Sequence, residues 1–180
     1  MTHVLELTGA NERLFLLRQL ASGSREYCKR EELYEGNEQY GDEDWEIYWG
    51  RLQFLVSKFI LDAATSYRIL QDILRKEQSV DALSEIDHTF GSRLGEVRVG
   101  NFVLTLRESC NKIIHATDFS LESTTARTGN PSRRYSYWNG ACHLKGIYGK
   151  NSWHVALNVY DWCGAVDSYF EWMAGELEWR

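Results

Sequence analysis

Residues 138–158 read WNGACHLKGIYGKNSWHVALN. In the second half Trp153, Val155 and Leu157 alternate with His154 and Ala156, the period of a strand that buries one face. Gly149, Lys150 and Asn151 supply a turn back to 138–148, so the segment is expected to form a β-hairpin. Asn158 then stands where a helix N-cap is wanted. Beyond it Val159, Trp162, Cys163, Val166, Phe170, Met173 and Leu177 recur at helical spacing. A hairpin feeding a helix, in a chain that is otherwise helical, points to an α+β fold, mostly α. The expectation is a helical bundle with a small antiparallel β-sheet before the C-terminal helix.

Upstream, the clearest helix starts at Asp42. Its apolar positions run through Trp45, Tyr48, Trp49, Leu52, Leu55, Val56, Phe59, Ile60, Ala63, Tyr67, Leu70, Ile73 and Leu74, a continuous stripe at three- and four-residue spacing. A helix over 42–77 would be ~50 Å long at 1.5 Å per residue. That length calls for a kink near Gly50 or an interface along part of the stripe. Shorter helices are expected at 10–20, ended by Ser22-Gly23-Ser24, and near 79–88. A further helix is expected at 99–116, with the stripe Val99, Phe102, Val103, Leu106, Cys110, Ile113 and Ile114. A short strand fits 119–122, and 123–136 reads as a basic mobile loop. The 180 residues suit a single domain, 1–180, with a helical core at 42–116, a sheet at 117–158 and the last helix at 159–180.

Composition narrows the function classes. The net charge of -6 gives no general attraction to nucleic acid or an anionic membrane, so any anion site must be local. No secretory signal and no uncharged membrane-length stretch is present, and a cytoplasmic setting with no membrane partner is expected. Cys28, Cys110, Cys142 and Cys163 include no C-x-x-C pair and read as free thiols. Zinc on Cys142, His143, His154 and Cys163 fits no common finger spacing, so no metal and no cofactor is expected. Gly-rich phosphate loops, G-x-S-x-G and H-E-x-x-H are absent.

The segment with most chemistry is Leu106-Arg107-Glu108-Ser109-Cys110-Asn111-Lys112-Ile113-Ile114-His115. Arg107, Asn111 and His115, four residues apart, form a polar row beside the buried stripe. An imidazole moves protons near neutral pH, a guanidinium holds a phosphate and an amide orients either. The run Asn111-x-x-x-His115 resembles the R-N-x-x-x-H motif of HEPN domains. The resemblance covers about 42–116, and Cys110 stands where that family has its Arg. It implies a helical, often dimeric protein of bacterial or phage toxin and defence systems. Such a protein binds RNA or a partner protein, or cuts RNA without metal at a site shared by two subunits. His115, Arg107 and Asn111 would then be catalytic, with Arg107 replacing the missing charge from one turn earlier.

Other segments offer binding. Lys112, Arg127, Arg133 and Arg134, the last two followed by Tyr135, Tyr137 and Trp138, mix cations with rings as single-strand nucleic-acid sites do. Trp172 and Trp179, with Tyr169, suggest a patch for a partner protein or a homodimer. Glu38, Asp42, Glu43 and Asp44 have the chemistry to hold a divalent cation, but such a cluster more often reads as a solvated helix start. The rival to RNA binding is a non-enzymatic inhibitor or accessory subunit acting through acidic and aromatic surfaces.

Overall fold

A computed structural model describes residues 7–34, 43–74, 84, 87–89, 91, 93–128 and 134–178. The order is α1 (Leu7–Arg30), α2 (Glu43–Leu74), β1 (Gly95–Val99), α3 (Leu106–Ile114), β2 (Asp118–Arg127), β3 (Arg134–Tyr148), β4 (Asn151–Asn158) and α4 (Val159–Glu178). The strands form one antiparallel sheet in the order β1-β4-β3-β2. The fold is α+β.

Alternation along the strands sets the layers. Trp153, Val155 and Leu157 of β4 lie opposite Gly146, Leu144 and Cys142 of β3, and all of these but the glycine join the main core. Against this face pack Leu14 and Leu17 of α1, Val56, Ile60, Ala63 and Tyr67 of α2, Cys110 of α3 and Trp162 and Val166 of α4. These positions recur every three or four residues, so each helix buries one stripe. A fully buried side chain of this kind contributes ~1.5–3 kcal/mol. His143, Lys145, His154 and Ala156 alternate to the other, open face. A second, smaller core of Cys28, Leu33, Trp45 and Tyr135 closes the junction of α1, α2 and the start of β3.

Three expectations are corrected. The first helix does not end at Ser22-Gly23-Ser24 but runs to Arg30. Ser24 is buried, and its hydroxyl accepts the Trp138 backbone N–H at 3.0 Å and shares a 2.7 Å hydrogen bond with Tyr48. Tertiary partners thus outweigh the local breaker signal. The long helix is present as expected over Glu43–Leu74, continuing through Gly50, and the remaining residues of its expected span lie outside the described residues. The helix expected at 99–116 is only Leu106–Ile114, and residues 95–99 pair with β4 instead. Gly100 takes φ 121°, open to glycine, and Thr105 caps the new start by accepting the Glu108 N–H at 3.1 Å. Finally, much of the supposed loop is sheet: β2 and β3 pair out to Arg127↔Arg134. The helix expected at 79–88 lies largely outside the described residues.

Two polar anchors place α3. Buried Asp87 accepts the Arg107 backbone N–H at 2.7 Å and the Tyr67 hydroxyl at 3.1 Å. Trp162 of α4 donates its indole N–H to Ser109 at 2.9 Å. At the other end Tyr148 and Asn151 pair around a two-residue turn, with Gly149 at φ 62°. Asn158 caps α4 by accepting the Asp161 N–H at 3.2 Å, as its position in the sequence suggested.

Candidate functional site

The polar row on α3 divides. Arg107 turns to α2, where it bonds Gln71 and meets Asp72 at 3.0 Å. Asn111 donates to Glu108 at 3.1 Å. His115 is the C-cap residue of α3, its backbone N–H donating to Asn111, and its side chain is exposed. Asn111, Lys112 and His115 border one cavity between α3 and the β3–β4 turn, whereas Arg107 does not line it. Four-residue steps drift around a helix, and over two steps the row leaves a single cleft.

That cavity, ≈ 660 Å³, adjoins a second of ≈ 690 Å³, and Glu108, Lys112, Tyr148 and Trp153 border both. Together they make a groove. Trp153 is its buried floor, and Tyr148, 82% exposed, borders it from beside the turn. Lys112 Nζ lies 4.2 Å from the centroid of Phe102 and 4.6 Å from that of Trp153, and meets Glu108 at 3.0 Å. Aromatic faces and a carboxylate thus fix the ammonium group. Lys150 and Asn101 complete the far end. The groove therefore offers an exposed ring, a ring floor, two lysines and an imidazole, with one carboxylate already paired.

The other expected residues are spread out. Arg127 and Arg134 face each other as the last rung of β2 and β3, both exposed. Of the rings that follow Arg134, Tyr135 and Trp138 are buried, and Tyr137 is half-buried with the Arg25 guanidinium over its face. Trp172 is half-buried against Tyr169, with ring centroids 5.7 Å apart. Arg133 and Trp179 lie outside the described residues. The four thiols are buried and free. Burial pushes Cys163 up to about 12 and raises Cys110 and Cys142 as well. Cys142 points into the core and its neighbour His143 to the open face, so the four-ligand zinc arrangement does not assemble.

Phe102, Tyr148, Lys150 and Trp153 are the groove residues that sequence reasoning did not single out. A signal existed for two of them: the hairpin turn at 149–150 fixes Tyr148 and Trp153 at the same sheet end. Comparison with protein-family models, with curated proteins and with solved structures returns no match. Among the described residues no helix is long and apolar enough to cross a membrane.

Proposed function

We propose that this protein binds single-stranded RNA in the groove between α3 and the β3–β4 turn. The observation that carries the reading is Lys112 held by the Phe102 and Trp153 rings in a groove that the exposed Tyr148 also borders. Bases stack on exposed rings whatever their identity, and lysines beside the rings meet the backbone phosphates. Because the whole molecule is acidic, stacking supplies most of the affinity and charge supplies little. The HEPN-like resemblance, carried here by Asn111 and His115, points to the same ligand and to a role in bacterial or phage conflict. Arg107, committed to α2, is not placed to act with His115, so the groove favours binding over cleavage at that pair. The test is fluorescence anisotropy with a labelled twelve-nucleotide oligouridine. Wild type should bind, and Tyr148→Ala should weaken binding by ~1–3 kcal/mol, the worth of one stacked base. Equal affinity of both proteins would reject the groove.

A second reading, a homodimer, has its own observation. Ile47, Phe54 and Leu61 stand seven residues apart on α2 and are 51%, 65% and 43% exposed. A seven-residue apolar repeat is what two packed helices share, and it makes a second copy of α2 the fitting occupant. Light scattering decides it: a dimer that Phe54→Glu converts to monomer supports the reading, and a monomeric wild type rejects it.

A further inference from the structure

The open face of the sheet carries a second group of chemically capable side chains, separate from the groove. Glu122, His143 and His154 lie on the neighbouring strands β2, β3 and β4. Glu122 Oε2 is 3.0 Å from His143 Nε2, and His143 Nδ1 is 3.1 Å from His154 Nε2. Asn139 donates to the other oxygen of Glu122 at 2.7 Å and fixes the carboxylate. The carboxylate only accepts, so His143 donates Nε2–H to it, and in the uncharged form of His143 its Nδ1 accepts. His154 must then donate Nε2–H, which leaves its Nδ1 with a free lone pair. Among the described residues nothing else bonds that nitrogen. The chain of hydrogen bonds therefore has a direction, with a proton-accepting end at His154.

That end has access to ligand. His154 borders a cavity of ≈ 330 Å³ together with Lys145, Val99 and Ser152. Ile147 and Trp153 border both this cavity and the groove, so the two adjoin at the β3–β4 end of the sheet, the cavity on its open face and the groove on its core side. Lys145 pairs with His154 across the sheet and is held by Asp118 at 3.0 Å.

We propose that His154 is the general base of a metal-independent RNA cleavage site adjoining the groove, positioned by His143 and Glu122, with Lys145 as the phosphate contact. This rests on the RNA-binding reading above. His154 Nδ1 takes the proton of a ribose 2′-hydroxyl. The 2′ oxygen bonds to the adjacent phosphorus, the P–O5′ bond breaks, and the leaving 5′ oxygen takes a proton from water. The hydroxide so formed takes the proton from His154, and the products are a 2′,3′-cyclic phosphate and a 5′-hydroxyl. Desolvation lowers the His154 pKa, and the neighbouring His143, Lys145 and Arg98 lower it further, against Asp118. Glu122 is taken up by His143, and Glu96 by Arg98 at 3.0 Å. The shift favours the uncharged imidazole, the form a base must have.

The test incubates the full chain, in chelator, with a single-stranded oligoribonucleotide and with its all-deoxy counterpart. Products are read by mass spectrometry and binding by anisotropy. RNA should yield cyclic-phosphate fragments and DNA none. His154→Gln should slow cleavage ~100-fold or more. His154→Asn serves as a second variant, and a melting curve checks the fold of each. Glu122→Gln should lower the rate and move the pH profile, which a merely structural carboxylate would not do. Wild type that binds RNA without cutting it overturns this proposal and leaves the groove standing. Cleavage that survives in His154→Gln, or that chelator abolishes, also overturns it. Wild type that neither binds nor cuts overturns both.

Discussion

Gly146→Ala is the sharpest probe of how the groove floor is built. A Cβ at this position would stand 2.6 Å from Trp153 Cε2 and 3.0 Å from Nε1, and would meet Cζ2 as well. No carbon atoms approach so closely, so the indole must slide off the strand or the two strands must part. Trp153 is 5% exposed and sits against the main core, which leaves it little room to move. Overpacking of this kind costs ~1–3 kcal/mol. At ~2–4 °C per kcal/mol for a chain of this size, the melting temperature should fall by ~2–12 °C. The same shift moves the ring that lies 4.6 Å from Lys112 Nζ, so RNA affinity should fall together with stability. Thermal denaturation and intrinsic tryptophan fluorescence measure the first effect, and anisotropy measures the second. A variant with unchanged melting temperature and unchanged fluorescence would refute the packing argument. Loss of stability without loss of RNA affinity would separate Trp153 from the binding site.

Other outcomes follow from particular residues. Asp87→Ala removes the acceptor for both the Arg107 N–H and the Tyr67 hydroxyl, and should destabilise by ~2–4 kcal/mol in chemical denaturation. A loss under 0.5 kcal/mol would mean that water replaces the carboxylate freely. The lowered His154 pKa gives stability that is complete above ~6.5, the unfolded value, and declines as pH falls toward the folded value, because there the unfolded chain holds more protons. Acidification from pH 7.5 to 5.5 should therefore lower the melting temperature more in wild type than in His154→Gln, and equal losses would count against it. The RNA affinity should depend weakly on salt, with a log–log slope of about -0.7 to -1.4 for one or two phosphates. A slope of about -4 would point to an extended basic surface instead.

The sequence carried the layer arrangement well where one pattern held over a whole element. The alternation of Trp153, Val155 and Leu157, the Gly149 turn and the Asn158 cap all stand in the structure as their spacing suggested. It carried less where a tertiary partner decides. Ser24 looks like a helix stop and serves instead as a buried hydroxyl under β3. Val99 and Phe102 match the period of the helix that follows, yet Val99 ends an edge strand and Phe102 borders the groove. The site was legible only in part. Asn111, Lys112 and His115 do meet in one cavity, but the direction of Arg107 depends on Gln71 and Asp72, some 35 residues away in the chain. His143 and His154 are diagonal neighbours only once the register Lys145↔His154 is known, and no local spacing reveals that contact.

The most direct measurement is photo-crosslinking of a 4-thiouridine oligoribonucleotide to the full chain, with the modified residues read by mass spectrometry. Crosslinks should fall on Tyr148, Phe102 and Trp153 around the β3–β4 turn. Crosslinks confined to the Arg127 and Arg134 end of the sheet, or none at all, would contradict the account.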